Sequence, residues 1–237
     1  MTLFVFDLDG TLTPPRLPMT KEFEDFFVEW AKDKKCFIAT GSDFKKVTEQ
    51  LSSTALLAFE GIYCSMGNVL WKHGNFIYKN EFNADEKLYQ KLEEYRQKTS
   101  YPYQLFPNHI EKRDGMINFS VLGRNCPYEE REKYFAYDKQ AKEREKIKDE
   151  LTHMFPDLDI SIGGMISMDI TPKGCGKEQV AYKLRLQYPD EEIIFFGDKT
   201  FEGGNDYSLA QAVLKLGKSQ VIQVNGPDDA KEFLKNK

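Results

Sequence analysis

Four short apolar runs punctuate the two ends of the chain, and each stops abruptly at small or polar residues. Leu3-Phe4-Val5-Phe6 stops at Asp7, and Cys36-Phe37-Ile38-Ala39 at Thr40-Gly41-Ser42. Ile193-Ile194-Phe195-Phe196 stops at Gly197-Asp198, and Val221-Ile222-Gln223-Val224 at Asn225-Gly226. Continuous apolar character, without alternation, suits parallel strands covered on both faces. Amphipathic segments at about 20–33, 43–51, 177–187 and 206–215 read as the covering helices. The pattern predicts an α/β fold with a doubly wound, Rossmann-like sheet. Ligands of such sheets bind beyond the carboxyl ends of the strands, so the polar residues ending the four runs are expected to share one site.

The middle of the chain follows a different rule. Ile117 to Leu122 and Ile166 to Ile170 alternate apolar and polar positions, as strands with one solvated face do. Two helical stretches accompany them. One covers about 84–98, with Leu88, Leu92 and Tyr95 in phase; the other is a single long helix over about 128–155, opened by Pro127. The charge-dense stretch Lys139 to Glu150 then reads as the solvated face of that helix. These elements predict an α+β module, residues 81–172, inserted into a core made of residues 1–80 and 173–237, with turn chemistry at Asn80 to Asp85 and Pro172 to Gly176.

Composition narrows the classes. Hydrophobic residues at 41%, with 18 Phe and 12 Tyr, rule out a disordered chain. No apolar run approaches the roughly 20 residues of a membrane-spanning helix, and the first residues lack the pattern of a secretory signal, so a cytoplasmic protein with no membrane partner is expected. A net charge of −5 argues against a nucleic-acid surface, which needs a clustered positive field. The four cysteines are scattered, with no C-x-x-C pair, and read as reduced thiols.

Candidate chemistry concentrates where the runs end. Asp7-Leu8-Asp9-Gly10-Thr11-Leu12-Thr13 places two carboxylates two residues apart at the point where a strand frays into a loop. One can act as a nucleophile toward phosphorus and the other as acid/base. Such a pair beside an anionic substrate calls for a hard cation, most simply Mg2+. Thr40-Gly41-Ser42-Asp43 offers a hydroxyl and helix N-terminal amides to a phosphoryl oxygen. Lys177, after Lys173-Gly174-Cys175-Gly176, offers a neutralising cation, and Gly197-Asp198 with Asn205-Asp206 offers further oxygen ligands.

The first of these stretches resembles motif one of the haloacid dehalogenase superfamily of phosphotransferases, and the remaining motifs follow in order. DLDGTLTPPR (Asp7 to Arg16), GSDFKKV (Gly41 to Val47), GMINFSVLGRNC (Gly115 to Cys126), EER (Glu129 to Arg131), SIGGMISMD (Ser161 to Asp169) and FFGDKTFEGGND (Phe195 to Asp206) are similar to the eukaryotic-type phosphomannomutases over nearly the whole chain. The resemblance implies a core with an inserted cap. It implies Asp7 as nucleophile, Asp9 as acid/base, and Mg2+ held by Asp7, the Asp9 carbonyl and Asp198, with Asn205 and Asp206 beside them. Ser42 and Lys177 would bind the transferring phosphoryl group. Arg113, Arg124, Arg131 and Ser167 would bind the distal phosphate, Asp169 the sugar hydroxyls, and Arg16 a further phosphate. Planar guanidinium forks suit such oxygens.

The resemblance further implies interconversion of mannose 6-phosphate and mannose 1-phosphate through an aspartyl-phosphate and a hexose 1,6-bisphosphate, which also serves as activator. It implies a role in supplying GDP-mannose and a homodimer formed through the cap. Three positions depart from the family. Cys175-Gly176 stands where Trp-Asp is usual before the lysine, Val121 where proline is common, and Phe106 to His109 lacks an arginine. Two alternatives therefore remain: a sugar-phosphate phosphatase that admits water to the phosphoenzyme, and a catalytically silent sugar-phosphate-binding or interaction protein.

Overall fold

The computed structural model describes residues 1–236, which divide into two compact units: residues 1–80, 175–202 and 206–236 in the first, and 81–174 with 203–205 in the second. The first unit opens with β1 (Thr2–Phe6), α1 (Lys21–Ala31), β2 (Lys35–Ala39), α2 (Phe44–Gln50), α3 (Ser53–Leu57), β3 (Gly61–Cys64), β4 (Val69–Lys72) and β5 (Asn75–Lys79). The second holds α4 (Glu86–Lys98), β6 (Ile110–Arg113), β7 (Met116–Phe119), α5 (Tyr128–Ala141), α6 (Glu143–Met154), β8 (Leu158–Gly163) and β9 (Ser167–Pro172). The first unit then resumes with α7 (Gln179–Gln187), β10 (Glu192–Gly197), α8 (Tyr207–Lys215), β11 (Ser219–Gln223) and α9 (Pro227–Leu234).

The core sheet runs β11-β10-β1-β2-β3-β4-β5. Its first five strands are parallel, and the hairpin β4–β5 closes one edge antiparallel. Both faces of β1 are buried, as continuous apolar runs require. Leu3 and Val5 pack with Val180, Ala181 and Leu184 of α7 and Leu209 and Val213 of α8. Phe4 and Phe6 pack with Phe23 and Phe27 of α1 and with Ala230 and Leu234 of α9. Phe6 stacks on Phe196 at 5.0 Å, tying β1 to β10 by more than their ladder. Thr20 starts α1 by accepting the Phe23 N–H at 3.3 Å, and Asp43 starts α2 by accepting that of Lys46 at 2.9 Å.

The second unit is an antiparallel sheet, β6-β7-β9-β8, with an apolar face covered by Leu88 and Leu92 of α4, Tyr134 of α5 and Leu151 of α6. Its other face carries a polar row set by register: Glu111 pairs with Asn118, Asn118 with Asp169, and Asp169 with Ser161. The alternation in the sequence marks this row correctly, but Asn118, Ser167 and Asp169 are buried and bonded to neighbours, where a solvated face was expected.

The expected single helix over 128–155 is broken. Lys142 adopts a left-handed φ of 54°, ending α5, and α6 begins at the next residue. The cause is tertiary. Asp138 is buried, and its carboxylate accepts the Arg144 backbone N–H at 2.9 Å and the Arg144 Nε–H at 2.7 Å. Arg144 is buried too, so the charge-dense stretch is not wholly solvated. Among the described residues no helix is long and apolar enough to cross a membrane.

Replacing Asp138 with Ala should leave the Arg144 guanidinium buried without its carboxylate, at a cost of about 3 kcal/mol in urea unfolding. Asp138→Asn, which keeps an oxygen for the Arg144 N–H, should cost less. Equal losses would show that the charge pair, and not the cap, carries the cost.

Candidate active site

Three chain segments far apart in sequence converge at the carboxyl ends of β1 and β10. Lys177, in the turn before α7, is fully buried between two carboxylates: its Nζ lies 2.6 Å from Asp7 Oδ1 and 2.5 Å from Asp206 Oδ1. Asp7 follows β1 directly, and its N–H donates to the Phe196 carbonyl at 2.9 Å, continuing the ladder one residue past the strand. Asp198, following β10, completes a group of three carboxylates whose oxygens lie within 4.8 Å of one another. Asp198 pairs with the ammonium of Lys199.

The approach is close enough to dictate glycine. Gly10 has φ +86°, and a Cβ there would stand 2.6 Å from Asp198 Oδ2. The Asp-Gly step of the first motif is thus a backbone requirement of the site.

Burial and charge set the protonation of this cluster. Loss of water, then the Asp206 carboxylate, holds Asp7 well above the usual carboxylate range despite the Lys177 ammonium. Burial also raises Asp198, opposed by Lys199. For Lys177, burial alone would favour the neutral amine; Asp206 and Asp7 outweigh it and raise the pKa.

The cluster fits a hard divalent cation. Every donor is an oxygen, and three carboxylates face one buried ammonium. Asp7 Oδ2 and Asp198 Oδ1 are buried with no hydrogen-bond partner among the described residues, a costly state that a cation relieves; Asn205 Oδ1 is likewise buried without one. Asp206 is different: its Oδ1 is engaged by Lys177 and its Oδ2 accepts the Lys199 N–H at 3.3 Å.

Asp9 stands to one side. Its Oδ1 accepts the Arg16 N–H at 2.7 Å and the Gln50 amide at 3.0 Å, while Oδ2 lies 3.5 Å from Ser42 Oγ. Asp43, and not Ser42, caps α2, which leaves the Ser42 hydroxyl beside Asp9. The Arg16 residue is exposed, with φ 64°. Of the four run ends expected to share a site, three supply the residues named here. Asn225 instead donates its backbone and side-chain N–H groups to Asp229 at 2.9 and 3.0 Å, within the last helix–loop junction.

The second unit gathers its own charged group. Arg124 Nη1 donates to Asn118 Oδ1 at 2.5 Å and to Ser167 Oγ at 2.8 Å, and its Nε lies 2.8 Å from Glu111. Glu111 also holds Arg113 at 2.5 Å. Arg131 donates to the Arg124 carbonyl at 2.5 Å, and burial lowers the pKa of its guanidinium. Asp169 Oδ1 accepts from Asn118 Nδ2 at 2.6 Å. The five positions singled out in this unit are therefore neighbours: Arg124 joins Arg131 and Ser167 directly, and Glu111 and Asn118, which sequence reasoning missed as it missed Gln50, bring in Arg113 and Asp169. Each left a trace: Glu111 and Asn118 share a face with Arg113 and Asp169, and Gln50 lies one turn beyond Val47 on the core side of α2.

Replacing Lys177 with Met should cost about 3 kcal/mol or more at pH 8, because two buried carboxylates lose their counter-charge. Carboxyl groups raised in the folded state contribute stability that is complete below their unfolded pKa, about 4, and lost as pH rises through the folded value. The deficit of Lys177→Met relative to the parent should therefore shrink as pH falls from 8 to 5 in urea titrations. A deficit independent of pH would contradict the charge arrangement.

Comparison with known proteins bears on these two groups. The family model described as eukaryotic phosphomannomutase matches residues 23–237. A phosphomannomutase of Arabidopsis thaliana is 38% identical over 95% of this chain and 92% of its own length. One of Dendrobium officinale is 36% identical over 98% and 92%. Among solved structures, a sugar phosphatase of haloacid dehalogenase subclass IIB superposes with a TM-score of 0.60 at 20% identity, covering all of this chain and 98% of that one. An IMP-nucleotidase of Plasmodium falciparum gives 0.66 at 16% identity, over 99% and 66%. At such identities the structures establish the fold alone: a haloacid-dehalogenase-type Rossmann-like core with a cap. By family match and by relatives aligned over nearly its full length, the chain belongs to the eukaryotic phosphomannomutases.

Proposed function

We propose that this protein interconverts mannose 6-phosphate and mannose 1-phosphate, with Asp7 as the phosphoryl carrier. What carries the reading is the buried Asp7–Lys177–Asp206 group, found in a member of this family together with a separate arginine group on the second unit. Phosphorylated Asp7 donates its phosphoryl group to a hydroxyl of the hexose phosphate, and Asp9 accepts the proton of that hydroxyl. The hexose 1,6-bisphosphate so formed turns end for end. Its other phosphoryl group returns to Asp7, and Asp9 gives the proton back to the leaving oxygen.

Lys177 and the Ser42 hydroxyl hold the oxygens of the group in transit. Either end of the sugar must be gripped while the other reacts, and Arg113, Arg124, Arg131 and Ser167 are the residues suited to that distal phosphate, with Asp169 for the hydroxyls and Arg16 as a further phosphate contact. Mg2+, when bound, supplies the positive charge that lets carboxylates and phosphoryl oxygens approach one another. Asp7 and Asp198, with their orphaned oxygens, are its primary protein ligands in this reading, with the Asp9 carbonyl and Asn205 beside them. Asp206, with both oxygens engaged, orients Lys177. Hexose 1,6-bisphosphate is the activator that primes Asp7. A homodimer through the second unit and a cytoplasmic supply of mannose 1-phosphate for GDP-mannose belong to the same proposal.

Incubation of mannose 1-phosphate with protein, Mg2+ and a hexose 1,6-bisphosphate, followed by NMR, should yield mannose 6-phosphate; release of inorganic phosphate without isomerised sugar would identify a phosphatase instead. Asp7→Asn should lose all turnover. Arg124→Ala should lower isomerisation at least tenfold while sparing turnover of a small phosphodonor, and equal losses would remove the distal-phosphate assignment. EDTA should abolish activity and lower the melting temperature, and Mg2+ should restore both; the Mg2+-dependent rise in melting temperature should be absent in Asp198→Ala.

A further inference from the structure

The chain leaves the first unit after Asn80 and re-enters it at Cys175. Both points are tied to one buried side chain. Asn68, fully buried, donates from Nδ2 to the Cys175 carbonyl at 3.0 Å and to the Ser65 carbonyl at 2.8 Å, and its Oδ1 accepts from Asn80 Nδ2 at 3.0 Å. The Asn68 carbonyl accepts the Asn80 backbone N–H at 2.8 Å. Gln179 doubles the tie: its Nε2 lies 2.7 Å from the Cys175 carbonyl, 2.9 Å from that of Met66 and 3.3 Å from Asn68 Oδ1.

The turn that presents Asn68 is strained. Ser65, Met66 and Gly67 take φ values of 48°, 62° and 88°, three consecutive left-handed residues of which two carry side chains. A Cβ at Gly67 would meet Val180 Cγ2 at 2.8 Å. The same turn reaches the site, because the N–H groups of Ser65 and Met66 donate to the carbonyls of Ser42 and Thr40 at 2.9 Å each. Cys175, on its other side, lies two residues before Lys177. Strain of this kind persists only where surrounding bonds over-determine it, and here those bonds converge on the two inter-unit connections.

We propose that Asn68 is a positioning residue that locks both connections to each other and to the loops bearing Ser42 and Lys177, so that they act as one pivot. The pivot follows from the hydrogen bonds alone; its catalytic consequence rests on the mutase reading. With the pivot loosened, the distal phosphate is held less faithfully and water competes for the phosphoenzyme. Water oxygen bonds to phosphorus, the bond to the Asp7 oxygen breaks, carboxylate and inorganic phosphate separate, and the proton passes to solvent.

Hydrogen–deuterium exchange on the full-length protein tests the pivot directly. Asn68→Ala should speed exchange about threefold or more in peptides covering 78–82 and 173–178 together, with α4 unchanged. Asn80→Ala, a partly exposed side chain whose loss leaves the core intact, should also loosen 173–178, to which it is linked through Asn68; it carries the test if Asn68→Ala does not fold. Exchange at 173–178 that stays at the parental rate in Asn80→Ala overturns the coupling. In turnover, the ratio of inorganic phosphate to isomerised sugar should rise about fivefold or more in both variants, while a small phosphodonor such as acetyl phosphate is consumed at near-parental rates. An unchanged ratio overturns the positioning role. Parental protein that makes no mannose 6-phosphate overturns the mutase reading alone, and the exchange data still judge the pivot.

Discussion

One ammonium group organises this protein. Lys177 is cut off from solvent and held by two carboxylates, which lie 170 and 29 residues from it along the chain. A buried lysine is tolerable only with such partners, and the partners are tolerable only with the lysine. The sheet order follows from the same demand: Asp7 and Asp198 come together because β1 lies beside β10, and the turn before α7 delivers the cation to the same end of those strands. The remaining negative charge, and the oxygens left without donors, form the opening for a divalent cation.

Much of this was legible in the sequence because it is local. Apolar runs that end at Asp7, Ser42 and Asp198 identify parallel strands and their functional ends without reference to anything distant. The features that escaped depend on contacts between elements. Nothing in the residues around Lys142 breaks a helix; the break comes from Asp138 turning back to cap α6 and to hold a buried Arg144. Asn225 follows its apolar run as the other end residues do, yet Asp229 claims it. Gln50 and Glu111 are unremarkable in sequence, and their importance lies in what they hold: Asp9 in one case, two arginines in the other.

The departure from the family before Lys177 is also less abrupt in three dimensions. A side chain at Gly176 would start 2.5 Å from a carboxylate oxygen of Glu178. The Glu178 carboxylate thus occupies the space into which a side chain at 176 would grow. An aspartate at 176 would make the Glu178 carboxylate, the flexible end of its side chain, move aside, so the two positions are coupled.

The discontinuous first unit also carries a consequence for biosynthesis. As the polypeptide emerges from the ribosome, β1 meets β2 early, but its other neighbour, β10, is translated only after the whole of residues 81–174. That stretch holds a contiguous sheet, helices and apolar core of its own and can complete itself first. The flank of β1 that β10 will cover stays open meanwhile, so the nascent chain carries the strand that leads into Asp7 half paired, an edge open to aggregation, until the last quarter of the chain is made.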